Sequence, residues 1–229
     1  MCGIFGVFGQ LHSPDINRRI NLLEHRGPDH QEICYENSVV FAHTRLSIVD
    51  LKHGHQPLVS PDERYYLICN GEIYNHQTWR DKLADEYEFQ TDTDSEVIIA
   101  LYQKYGVDAL QYLDGMFAFA LYDTINDKII LARDPIGIKP LYYGWIDGTL
   151  YFASEIKVLQ DICDDIHECA PGHYYTPDAG MIQYYDLVQL SEKAYQDGTD
   201  APVMFNDIYT TLKQAVEKRL MSDVRLVYI

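Results

Sequence analysis

Apolar residues in this chain cluster in short runs broken by Gly, Pro and Asn-Asp pairs. That pattern predicts sheet with a few helices. Residues 2–9 predict a strand carrying Ile4, Phe5, Val7 and Phe8. Residues 15–24 predict a short helix after Pro14 with Ile16, Ile20 and Leu23 on one face; His25-Arg26-Gly27-Pro28-Asp29 breaks it, because Gly-Pro does not continue a helix. Val39-Val40-Phe41-Ala42-His43 predicts a buried strand, and Leu46-Ser47-Ile48-Val49 is a further short apolar run. Tyr65–Cys69 predicts a strand ending at Asn70-Gly71, a tight-turn dipeptide.

Thr93-Asp94-Ser95-Glu96 fits a capping box, with Thr93 three residues before Glu96. The helix behind it would carry Val97, Ile98, Leu101, Tyr102 and Tyr105 and stop at Gly106. Two hairpins are predicted next: Met116–Tyr122 with Lys128–Ala132 around Asn126-Asp127, and Leu141–Ile146 with Thr149–Ala153 around Asp147-Gly148. Residues 187–202 lose the strand pattern and read as a linker. After Pro202 a helix is predicted with Phe205, Ile208, Leu212, Ala215, Val216 and Leu220 on one side.

Composition narrows the class. The 229 residues are 47% hydrophobic and 23% charged, as in a globular chain able to bury a substantial core. Nineteen tyrosines reinforce the tilt to sheet. A net charge of −17 argues against nucleic acid and anionic membranes as partners. No apolar run approaches the roughly 18 residues of a membrane span, and no leader pattern is expected. Five cysteines at irregular spacing do not form a disulfide framework, so a reduced, cytoplasmic protein is expected.

Chemistry concentrates at the start. Cys2 follows Met1, and a small second residue lets the initiator be removed. Cys2 would then carry a thiol and a free α-amine on one carbon. Their reference pKa values, about 8.5 and 7.7–8.0, both lie near working pH. The amine can therefore take the thiol proton, directly or through water: a nucleophile with its own base. The bland alternative is a chance cysteine near the start. The nine histidines do not recur at metal-ligand spacing, His53-Gly54-His55 included, and Cys163 and Cys169 lack a partner pair, so no metal is expected. Cys34 and Cys69 read as inert core thiols. His25, Arg26 and Asp29 either brace the loop near the nucleophile or serve a purely structural end.

Six motifs occur in order: Cys2-Gly3-Ile4, His25–Asp29, Arg45–Asp50 (RLSIVD), Asn70–Asn75 (NGEIYN), Asp114–Phe119 (DGMFAF) and Arg133–Tyr143 (RDPIGIKPLYY). Together they resemble the glutaminase domain of glutamine-hydrolysing asparagine synthetases, a class II glutamine amidotransferase of the N-terminal-nucleophile hydrolase type. The resemblance implies an α+β fold, a four-layer αββα sandwich. It covers residues 2–186, leaves 187–202 as a linker, and makes 203–229 the truncated start of the ligase domain. It implies L-glutamine as substrate and hydrolysis through a Cys2 thioester. Asn70 and Gly71 would form the oxyanion hole. Arg45 would hold the α-carboxylate as a bidentate fork, with Leu46, Ser47, Ile48 and Val49 as pocket wall. Glu72 and Asp94 would hold the α-ammonium, although Asp94 also suits a helix start in its own right. The Arg133–Tyr143 stretch would line the pocket or an ammonia tunnel.

The resemblance implies no cofactor for the glutaminase reaction. ATP and Mg would belong to the missing ligase domain, whose Ser-Gly-Gly-x-Asp-Ser pyrophosphate loop does not occur in these 229 residues. No ligase activity is then expected from this chain alone. A separate ligase domain or subunit and a homodimer both stay open as partners. Two other functions also stay open: a glutaminase domain serving another acceptor, such as a sugar phosphate or phosphoribosyl substrate, and a glutamine-binding regulatory fragment.

Overall fold

A computed structural model describes residues 1–10, 15–196 and 201–224. Its strands in chain order are β1 (Gly3–Phe8), β2 (His30–Glu36), β3 (Val39–Arg45), β4 (Leu58–Val59), β5 (Tyr65–Ile73), β6 (Gly115–Asp123), β7 (Lys128–Arg133), β8 (Tyr142–Ile146), β9 (Thr149–Ala153), β10 (Ile166–Glu168), β11 (His173–Thr176) and β12 (Gly180–Gln183). The helices are α1 (Ile16–Asn21), α2 (His76–Leu83), α3 (Val97–Tyr105), α4 (Leu187–Gln196) and α5 (Ala201–Lys218).

Two six-stranded antiparallel sheets result, one ordered β10-β8-β9-β1-β3-β2 and the other β12-β11-β7-β6-β5-β4. Period-2 alternation gives each central strand two buried faces. Ile4, Phe41, Ile68, Ala118, Ala120, Leu131 and Phe152 meet between the sheets. Phe5, Val7, Val40 and Tyr151 turn outward onto Ile16, Ile20 and Leu23 around α1. Leu67, Cys69, Phe117, Phe119 and Leu121 turn the other way onto Leu83, Val97, Ile98 and Leu101 of α2 and α3. The order of layers is therefore helix, sheet, sheet, helix, the four-layer α+β sandwich expected. Gly6 sets how closely β1 approaches its neighbour: a Cβ there would lie 2.1 Å from the Phe152 ring.

Both predicted hairpins form, as β6–β7 and β8–β9. Asp15 caps α1, its side chain accepting from the Arg18 N–H; Pro14, expected to precede that helix, lies outside the described residues. Two readings are corrected. Asn70-Gly71 is not a turn. β5 runs through both residues to Ile73, paired with β6 as Asn70↔Ala118 and Gly71↔Phe117, because nine paired residues outweigh a local dipeptide preference. The capping box does not form either. α3 starts at Val97, and the buried Glu96 carboxylate turns back to accept from the backbone N–H groups of Gln90 and Thr91, at 2.7 and 2.8 Å. The Leu46–Val49 run is loop.

The stretch read as a linker contains helix α4 over Leu187–Gln196; its residues 197–200, and residues 225–229 at the chain end, lie outside the described residues. α5 presents a solvent-facing apolar side, with Phe205 75% and Leu212 63% exposed. Its end touches the sandwich, where Lys218 Nζ reaches the Asp114 carboxylate at 2.6 Å. Among the described residues, no helix is long and apolar enough to cross a membrane.

Candidate active site

β1 and β3 pair with Gly3 opposite Thr44, which brings Cys2 alongside Arg45 at one end of the sandwich. The alternation that puts Ile4 and Phe41 between the sheets also points His43 and Arg45 inward, toward β5. There Asn70 continues the inward face of Ile68. An open cleft lies at this end. Of the site residues expected from sequence, Cys2, Arg45, Leu46, Ile48, Val49, Asn70, Gly71, Glu72 and Asp94 line it. Ser47 does not. It lies on the loop's other side, its N–H donating to Asp29 Oδ2 at 2.8 Å.

The Cys2 end is held from several directions. The Ile4 N–H donates to Ser154 Oγ and the Ser154 N–H returns to the Ile4 carbonyl, at 3.0 and 2.9 Å. Arg26 Nε donates to the Cys2 carbonyl at 2.9 Å. Arg26 is itself anchored by Glu155, which also takes His25 and Lys157, all at 2.9 Å. Burial pushes the Glu155 carboxyl up, but the hydrogen bonds from Arg26, Lys157 and His25 outweigh it and hold the pKa at about 2. The Cys2 thiol donates to the Leu46 carbonyl across 3.8 Å. Burial raises its pKa, opposed by the positive charges of the chain's N-terminus, Arg45 and Lys139.

Arg45 is buried. Its Nη2 donates to the carbonyls of Val49 and Asp50, at 3.0 and 2.5 Å, which curls the loop around it. Gly54 leaves room for this, since a Cβ there would lie 2.3 Å from Nη2. The other terminal nitrogen, Nη1, is buried with no protein partner. The Asn70 side-chain nitrogen Nδ2 is in the same state. Buried donors are ordinarily satisfied, so two unsatisfied ones beside the same cleft mark the places a polar ligand would fill.

Carboxylates form the opposite wall. Asp94 accepts from the Ile73 N–H at 2.6 Å, and burial raises its carboxyl against that bond. Glu72 is half-buried; burial raises it too, partly offset by Lys139. The loop that carries Asp94 is braced by Glu96 below and by Asp50, whose Oδ2 accepts from the Asp92 N–H at 2.9 Å.

Lys139 was named only as part of a wall stretch, yet it is the one residue of that stretch in the cleft. Its side chain is buried, and burial lowers its ammonium pKa, opposed by Glu72. The backbone around it is fixed by two buried charges. Asp134 accepts from the N–H groups of Ile136, Ile138 and Lys139, while Arg133 donates to the carbonyls of Gly137 and Lys139. Gln56 was missed outright. Its Oε1 takes the Cys69 N–H at 2.6 Å, and nothing local in the sequence signals it.

A sequence family described as glutamine amidotransferase domain matches residues 1–187. The chain is 44% identical to asparagine synthetase [glutamine-hydrolyzing] 1 of Saccharomyces cerevisiae, over 98% of this chain and 40% of that protein. It is 42% identical to asparagine synthetase B [glutamine-hydrolyzing] of Escherichia coli, over 98% and 41%. The chain thus spans about two fifths of the length of these relatives. Its fold is similar to that of the glutamine phosphoribosylpyrophosphate amidotransferase from B. subtilis, with a TM-score of 0.66 and 23% identity over 80% of this chain and 49% of that one.

Proposed function

This chain belongs to the glutamine amidotransferase family, and from that premise we propose that it hydrolyses L-glutamine to glutamate and ammonia through a Cys2 thioester, supplying ammonia for asparagine synthesis. The supporting observation is the pair of buried, unpartnered donors on Arg45 and Asn70, set in one cleft with Cys2. One suits an α-carboxylate and the other a developing oxyanion.

The steps follow from these groups. Removal of Met1 bares the Cys2 α-amine, which takes the thiol proton. The thiolate attacks the side-chain amide carbon of glutamine, forming an S–C bond and an oxyanion. Asn70 Nδ2 and the Gly71 N–H donate to that oxygen, and a preorganised donor of this kind typically contributes about 10²–10³ in rate. Collapse breaks the C–N bond, and the departing nitrogen takes the proton from the Cys2 α-ammonium and leaves as ammonia. Water then attacks the thioester and the Cys2 α-amine accepts its proton; collapse breaks the C–S bond, the sulfur takes that proton back, and glutamate leaves with the thiol restored. Arg45 Nη1 orients the substrate carboxylate, while Glu72 and Asp94 orient its ammonium.

In this reading the hydrolysis uses no cofactor, and ATP with Mg serves the ligase half present in the longer relatives. The exposed face of α5 is the seat of that half, in the same chain or another. A cytoplasmic setting suits the five free thiols. The test is direct. The chain incubated with glutamine should release glutamate and ammonia in equal amounts, and acid-quenched protein should carry a glutamyl adduct on Cys2. No adduct and no ammonia would overturn the reading.

A further inference from the structure

The family match stops at residue 187, but groups beyond it hold the cleft. The Asp50 N–H donates to Oδ2 of Asp223 at 2.8 Å, and the Asp223 N–H donates to the Ile48 carbonyl at 2.9 Å. Ile48 and Val49 line the cleft. From within, Arg45 Nη2 takes the carbonyls of Val49 and Asp50. Three consecutive residues of an irregular loop are therefore gripped by the guanidinium on one side and by Asp223 on the other.

The same segment reaches the second site-bearing strand. Arg219 stacks 4.9 Å from the Tyr74 ring, and Lys218 pairs with Asp114, whose carbonyl accepts the Tyr74 N–H at 2.7 Å. Tyr74 directly follows β5, the strand of Asn70, Gly71 and Glu72. The Lys218–Asp114 pair is solvent-exposed and by itself holds little. The Asp223 contacts differ, because they satisfy backbone groups that no strand or helix partner takes.

We infer that Asp223 is a positioning residue for glutamine: it holds the Ile48–Asp50 loop in the form that Arg45 uses, so glutamine occupancy and docking of residues 218–224 reinforce each other. The inference rests on the glutamine-hydrolysing reading. A loop held in its binding form adds no ordering cost when substrate arrives, whereas a released loop moves that cost into binding. Coupling of this kind is reciprocal. Any partner or domain that pulls on residues 219–224 would then weaken glutamine binding without touching the cleft.

Two measurements on the full chain test it. With Asp223→Ala, the KM for glutamine should rise about fivefold to tenfold while kcat stays within about twofold. Asp223→Asn keeps an acceptor oxygen and should return KM close to the original value, with the thermal midpoint unchanged in both variants. In Cys2→Ala, which binds but does not consume glutamine, added glutamine should slow amide exchange in residues 46–50 and also in 219–224. An unchanged KM in Asp223→Ala, or protection of 46–50 without 219–224, overturns the coupling. Protection of neither segment, together with no ammonia from the unmodified chain, overturns the glutamine reading itself.

Discussion

Arg26 donates from Nε to the carbonyl oxygen of Cys2, 2.9 Å away, so the backbone of the proposed nucleophile is held by a side chain from the 3-10 turn after α1. The thiol is therefore fixed through two directions, the strand behind it and the guanidinium beside it. Substitutions at the site should act on chemistry or recognition separately.

Cys2→Ala should abolish ammonia release and leave the thermal midpoint nearly unchanged. A glutamine-like electrophile should label Cys2 alone. Burial raises the thiols of Cys163 and Cys169, to about 11 and about 12, and raises Cys69 further, so none of the three competes as a thiolate. Peptide mass mapping after labelling checks this, and retained activity in Cys2→Ala would sink the mechanism.

Arg45→Lys should raise the KM for glutamine by about tenfold, roughly the loss of one charge-assisted hydrogen bond. Lysine can still meet the Val49 and Asp50 carbonyls but cannot also present a second nitrogen to a carboxylate. A KM unchanged from the original chain would remove the α-carboxylate from this position.

Asn70→Ala should lower kcat by about 10²–10³-fold with little change in KM. The strand should survive, since β5 keeps its backbone pairing with β6. Steady-state kinetics decide the matter; a change confined to KM would assign Asn70 to binding, not to the oxyanion.

Lys139→Met should shift the pH dependence of Cys2 alkylation upward. The ammonium beside the thiol favours the thiolate, so removing it makes ionisation harder. Lys139→Arg should restore the profile. Iodoacetamide rates across pH 6–10 (roughly the span that brackets a thiol) measure it, and superimposable profiles would show that Lys139 does not act on the nucleophile.

His43 sets an acid limit to stability. Burial, opposed by a contact from its Nε2 to the Cys69 carbonyl and reinforced by the Arg45 charge, lowers its pKa from 6.5 to about 3. Between those values the unfolded chain binds a proton that the folded chain does not. Stability is full above pH 6.5 and is lost progressively as pH falls toward 3. Between pH 7 and pH 5 the loss from this group should be about 1–2 kcal/mol. Denaturant midpoints should show it, and His43→Gln should flatten the dependence.

The long central strands were legible because, buried on both faces, they read as near-continuous apolar runs bounded by turn residues, as in Val39–Ala42 and Met116–Tyr122. The short edge strands β4, β10 and β12 were not, having two to four residues each and no pattern to show. Asn70-Gly71 misled because a dipeptide's turn preference is local, whereas the pairing with β6 is made by residues some fifty positions away, such as Phe117 and Ala118. Most of the site could be named from motif order. Lys139, Gln56 and Asp223 could not, because each depends on where a distant loop is carried: Lys139 by Arg133 and Asp134, Gln56 by the Cys69 N–H, Asp223 by the end of α5.

The pairing of Gly3 with Thr44 makes this site sensitive to the count of residues as well as to their kind. β3 can exchange one apolar side chain for another and keep its faces. An insertion or deletion of a single residue between Val39 and Arg45 is different in nature, because it reverses every side chain beyond it. Arg45 and His43 would swing out toward Leu23, where Thr44 Oγ1 now bonds, and Thr44 would face the cleft in their place. Length changes that preserve parity keep the guanidinium inside; odd ones exchange the chemistry of the cleft for a hydroxyl while leaving a strand of nearly the same composition. The activity of this strand is thus written partly in even and odd.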